Sequence, residues 1–233
     1  MSAPSVLVLE AAWVPDLESA PTVQPFIEGW ATHRGLSVCY RSFGSCVELT
    51  HWLRHFLASE SLCVAYVAAH GRSGSLHTPT SEIPLPELAQ RLGRGRRSRQ
   101  TGKGIVFGAC HLGSELEAFL AASKQKFDWA AGYTEAIPWL GATVTDLLFL
   151  EYLFAGIALR GEDARGDHSE EAEAAAWLVG EHCRLAHLMG LRLAISKGLA
   201  RSLASPRVAK RYAKTRPLSP ARCPGGSPCH PPI

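Results

Sequence analysis

The sequence predicts an α/β fold: a three-layer sandwich with a mostly parallel central sheet, followed by a C-terminal helical region and a disordered tail. Three observations predict it. Short apolar runs alternate with longer amphipathic stretches through the first two thirds of the chain. One run, residues 62–69, is almost wholly apolar, as a strand covered on both faces must be. The 233 residues are 46% hydrophobic and 19% charged, enough apolar material for a buried core and too much for a disordered chain.

The elements follow in order. Residues 6–12 read as a buried strand. Residues 23–33 have helical spacing, with Phe26, Ile27, Trp30 and Ala31 on one side and Gly35 as the stop. Residues 36–43 read as a strand, 45–58 as a helix and 62–69 as the central strand. A Gly/Ser/Pro-rich connection, residues 71–84, has room for a small hairpin, and residues 85–92 form a short helix. A basic loop spans residues 94–103. A strand at 104–109, a helix at 114–122 with Ser114 as its N-cap, a strand at 129–137 interrupted by Glu135, and a strongly apolar helix at 143–159 complete the main domain, residues 1–165. Residues 166–204, rich in Ala, Glu, Leu and Arg, read as a helical extension of one long or two shorter helices, with Gly180, Gly190 and Gly198 counting against a single unbroken helix. Residues 205–233 read as a basic, Pro-rich disordered tail.

Charge is unevenly placed. Six of the 24 Lys and Arg fall in that tail, where no acidic residue occurs, so the rest of the chain is net acidic (18 basic against 21 acidic residues). The basic character therefore belongs to the tail and to the loop bearing Arg91, Arg94, Arg96, Arg97, Arg99 and Lys103, which reads as a solvated connection, or a processing site, rather than a site for an anionic partner, since it has no aromatic stacking groups. The cysteines number seven, and Cys39, Cys63 and Cys110 lie in apolar runs, so free thiols in a reducing compartment are expected. No basic leader precedes the run at residues 6–9, which Glu10 cuts short, and no run approaches ~20 apolar residues. A cytoplasmic location is the expectation.

Open parallel sheets carry their sites beyond the carboxyl ends of their strands. Two strands end in reactive groups: 62–69 at His70-Gly71 and 104–109 at Cys110-His111-Leu112-Gly113. On neighbouring strands, His70 would accept the Cys110 proton, and a nearby imidazolium would favour the thiolate. Gly71 would let a substrate backbone come close, and the amides of Gly71 and Cys110 would donate to a developing oxyanion. His111 is expected to point away from His70.

These strand ends resemble the caspase-like cysteine peptidases of the caspase–hemoglobinase group, and within it the CHAT branch. Ala68-Ala69-His70-Gly71, then Leu85-Pro86-Glu87-Leu88-Ala89, then Gly108-Ala109-Cys110-His111-Leu112-Gly113 follow that group's order, as do Ala131-Gly132-Tyr133, Trp139 and Val144-Thr145-Asp146. The His-to-Cys separation of 40 residues is shorter than the ~50 of caspases. Gly108 departs from the family, where Ser or an acid is common. The resemblance implies peptide-bond hydrolysis through a thioester, with Cys110 as nucleophile and His70 as base and then acid. It implies a dyad with no third carboxylate, and a bacterial regulatory or antiviral defence setting gated by a protein partner. Asp146 and Glu135 are substrate-binding candidates, Asp146 for a basic P1 side chain, although both also read as surface or helix-start residues.

No cofactor or metal is expected. Cys223, Cys229 and His230 lack a matching fourth ligand. Ala11-Ala12-Trp13 stands where a phosphate loop would follow the first strand, and Gly71-Arg72-Ser73-Gly74-Ser75 is out of register for a nucleophile elbow. The expected partners are a protein substrate and a regulatory protein, with no membrane, and with nucleic acid only through a partner complex, the basic loop or the tail. The rival reading is an inactive caspase-like scaffold that docks partners through its helical extension.

Overall fold

A computed structural model describes residues 5–11, 21–96, 102–160 and 169–196. The tail at 205–233, Arg97 and Arg99 of the basic loop, and the three tail ligand candidates lie outside them. A six-stranded sheet runs in the order β2-β1-β3-β7-β8-β9. Its strands are β1 (Ser5–Ala11), β2 (Ser37–Phe43), β3 (Leu62–Ala68), β7 (Gly104–Gly108), β8 (Trp129–Tyr133) and β9 (Leu191–Ile195). All neighbouring pairs are parallel except β8–β9. The predicted mostly parallel α/β fold is what the chain adopts.

Alternation along the strands divides the core in two. Leu7, Leu9, Ala65, Val67, Ile105 and Phe107 face α2 (Cys46–Ala58), α3 (Leu85–Gly93) and α4 (Leu116–Ala122). Val6, Val8, Val64, Tyr66 and Val106 face α1 (Gln24–Arg34), α5 (Trp139–Arg160) and α6 (Ser169–His182). Both faces of β3 are thus covered, which explains its unbroken apolar sequence. Two helix ends match their sequence signals, whereas Ser114, expected as an N-cap, lies in a 3-10 turn (Gly113–Glu115) ahead of α4, which has no side-chain cap. Gly35 closes α1 at φ 67°, and Ser45 caps α2 by accepting from the Glu48 amide while Glu48 reaches back to the Gly44 amide. The connection after β3 folds into a small antiparallel sheet of β4 (His70–Arg72), β5 (Ser75–Thr78) and β6 (Ser81–Pro84).

Three readings need correction. Strand β8 stops at Tyr133, and residues 134–137 leave the sheet to wrap the Cys110 loop. The C-terminal region is not wholly helical. After α7 (Arg184–Met189), Gly190 turns at φ 62° and β9 adds to the sheet edge. Lys103 is not a solvated loop residue but is fully buried, its ammonium donating to the carbonyls of Phe56, Ser59 and Leu62 at 2.7–3.0 Å. Helix α5 is apolar enough over Trp139–Ile157 to cross a membrane by length and composition, but half of that stretch is packed inside the protein.

Candidate active site

Strand register brings the two tips together. The last β3–β7 pair is Ala68 with Gly108, and His70 and Cys110 each lie two residues beyond it. His70 opens the small sheet and is exposed; Cys110 is half-buried. Both line one cavity of about 250 Å³. Its walls are Pro21 and Val23 ahead of α1, and Ile137, Trp139, Ala142 and Thr143 on the approach to and first turn of α5. A Cβ on Gly71 would overlap the Cys110 carbonyl oxygen and lie 2.8 Å from its nitrogen. The glycine after the histidine is therefore required by backbone packed on backbone.

The Cys110 turn is held by the segment that leaves β8. Its Sγ accepts a hydrogen bond from the Ile137 amide at 3.4 Å and lies 3.8 Å from the Ile137 carbonyl oxygen. His111 takes a left-handed conformation at φ 55°, unusual for a residue with a side chain. Its amide donates to Glu135 O at 3.3 Å and its Nδ1 lies 3.2 Å from Thr134 O. The Leu112 amide donates to Tyr133 O at 2.8 Å. Gly113 completes the turn, because a Cβ there would come within 2.8 Å of the Thr134 side chain. His111 is thus an anchor of the loop.

Asp146 lies beneath the cavity rather than on the surface or at a helix start. It is 1% exposed, and it accepts from Tyr66 at 2.7 Å and from Tyr133 at 2.6 Å. Burial pushes its carboxyl up from 3.8 to about 7 against the opposing pull of the two tyrosine hydroxyls. Both tyrosines are raised well above their usual range, by burial first and then by the Asp146 charge. Of this trio only Tyr66 reaches the cavity wall, beside Gly108. A Cβ on Gly108 would collide with the Tyr66 hydroxyl and come within 3.0 Å of Asp146 Oδ2. Gly108 thus makes room for the tyrosine–aspartate pair. Glu135 is exposed and outside the cavity lining, and it serves the loop through its main-chain carbonyl.

Two contributors escaped the sequence reading. Ile137 acts on Cys110 through its main chain, which no side-chain pattern reports. Glu10, read only as the end of an apolar run, is 3% exposed. It accepts from Thr22 Oγ1 at 2.7 Å, the Val23 amide at 2.9 Å and the Tyr40 hydroxyl at 2.8 Å. That clamp fixes the segment forming one cavity wall. Burial and the Glu10 contact push Tyr40 up to about 12. An acidic residue inside an apolar strand was the available signal. Among the described residues, no three His, Cys, Asp or Glu side chains converge as a metal-ligand set.

No family model matches the sequence, and no curated protein matches it. Solved structures to which the chain is similar include three cysteine protease structures. The Arg-specific cysteine proteinase gingipain R has a TM-score of 0.49 at 12% identity, covering 81% of this chain and 45% of its own. The complex of Porphyromonas gingivalis RgpB pro- and mature domains has a TM-score of 0.45 at 11% identity, covering 82% and 46%. A secreted C11 cysteine protease of Bacteroides thetaiotaomicron, iotapain, has a TM-score of 0.41 at 10% identity, covering 78% and 70%. The chain spans less than half the length of the first two. The chemistry of the cleft therefore stands on its own geometry.

Proposed function

We propose that the chain is a caspase-like cysteine endopeptidase of the CHAT type. The observation that carries this reading is the placing of His70 and Cys110 on adjacent strand tips, in register and lining one cavity. His70 takes the Cys110 proton, and the thiolate adds to the substrate carbonyl carbon. The negative oxygen that forms is stabilised by the amides of Gly71 and Cys110. His70 returns the proton to the departing amine as the C–N bond breaks, leaving a thioester. Water, deprotonated by His70, then releases the carboxylate and restores the thiol. Asp146, through Tyr66, gives the floor beside Gly108 a polar character suited to a basic P1 side chain. The biological role that goes with this reading is a cytoplasmic bacterial effector in regulation or antiviral defence, gated by a protein partner.

The test is hydrolysis of a fluorogenic peptide library by wild type and Cys110→Ala, with folding matched by circular dichroism. Turnover falling on the order of 10³-fold or more in the variant is expected. Equal turnover by the two proteins contradicts the reading.

A further inference from the structure

Away from the strand tips, an open groove of about 440 Å³ runs along the outer face of α2. Val47, His51, Arg54, His55 and Ala58 form one stripe of the helix, and Arg91 of α3 stands opposite. Among the described residues, no acidic side chain lines it. The Arg54 guanidinium is oriented by donating to Arg91 O at 2.8 Å. Glu87, outside the lining, holds the Arg91 guanidinium at 2.7 Å. The His51 and His55 rings meet edge to face at 4.6 Å, and among the described residues neither is hydrogen-bonded. Beyond α3, exposed Arg94 and Arg96 extend the positive surface, with the Gly95 backbone packed beside Arg54. Val47, 66% exposed, adds an apolar contact at the far end.

We infer that this groove binds an acidic polypeptide segment in extended form. From Val47 to Ala58 the helix rises about 16 Å, the span of roughly five extended residues. The pattern fits carboxylates alternating with small apolar side chains: guanidiniums pair with the first, Val47 and Ala58 take the second. Nucleic acid fits less well. A single strand needs open aromatic platforms, whereas the two histidine rings of the lining are turned edge to face against each other, and a duplex is too broad to enter. The proposal does not depend on peptidase chemistry, since it concerns binding on another face.

Fluorescence anisotropy tests it, using a labelled six-residue peptide of four glutamates and two leucines, its glutamine counterpart, and a labelled ten-nucleotide thymidine strand. Both wild type and Cys110→Ala are used, so that cleavage of a probe is separated from its binding. The glutamate peptide is expected to bind saturably and to weaken with added salt. Its affinity should drop at least about tenfold with the glutamine peptide, with Arg54→Glu and with Arg91→Glu. The milder Arg54→Gln should weaken it in the same direction, which guards against misfolding of the charge reversals, and Arg192→Glu on β9 should change nothing. Absence of saturable binding, equal affinity in folded Arg54→Gln and Arg91→Glu proteins, or tighter binding of the thymidine strand would overturn the proposal.

Discussion

Gly71 lacks a side chain because the Cys110 peptide occupies the place where one would begin. Gly71→Ala should therefore separate the two strand tips: peptide turnover falls at least tenfold, and thermal denaturation shifts down. Gly108 answers to a different neighbour. Gly108→Ser, although it restores the residue common in the resembled family, drives a Cβ into the Tyr66 hydroxyl. It should destabilise the protein by about 1–3 kcal/mol, measured by urea denaturation. Pairing it with Tyr66→Phe, which removes that hydroxyl, should recover part of the loss. Asp146 gives a pH signature. Its carboxyl ionises near 3.8 when unfolded and near 7 when folded, so between these values the folded state keeps a proton that the unfolded state has lost. Its contribution to stability therefore falls as pH rises from about 4 to about 7 and then levels. Melting temperatures of wild type and Asp146→Asn across that range should diverge in this sense; parallel curves would contradict it.

Among the elements, those whose burial follows a simple period were legible. Strand β3 is apolar because it is covered twice, and Gly35 and Ser45 mark real helix ends. Residues acting through main-chain atoms were not legible: Thr134, Glu135 and Ile137 hold the Cys110 turn with carbonyls and amides. Strand β9 was missed because Leu191-Arg192-Leu193-Ala194-Ile195 has a helix-friendly composition, whereas its fate was set by Gly190 and by the open edge of β8. That turn also reaches the site, since Gly190 O accepts from the Thr134 amide at 3.1 Å and a Cβ would collide with Thr134 Oγ1. Gly190→Ala should therefore lower the labelling rate of Cys110 by a thiol reagent while far-ultraviolet circular dichroism stays native. Lys103 ties the end of α2 to the start of β3 through three carbonyls. Lys103→Met keeps the bulk and orphans those acceptors, and should cost about 2–4 kcal/mol by urea denaturation.

At the scale of the molecule, one sheet does two things. Its two faces carry the core, and its carboxyl edge collects what the chemistry needs: the His70 and Cys110 tips, the Glu10 clamp on one wall and the first turn of α5 on the other. None of these groups is near another in sequence; parallel register makes them neighbours. The motifs at the tips were readable because only a few residue types suit that edge, whereas the clamp and the buried tyrosine–aspartate floor depend on packing across the sheet. The most direct test of the account is the rate of iodoacetamide labelling of Cys110 at neutral pH, followed by mass spectrometry of its peptide, in wild type and His70→Gln. A fall of at least about tenfold in the variant, with Cys39 and Cys46 labelling unchanged, is predicted. Equal Cys110 rates in the two proteins would contradict it.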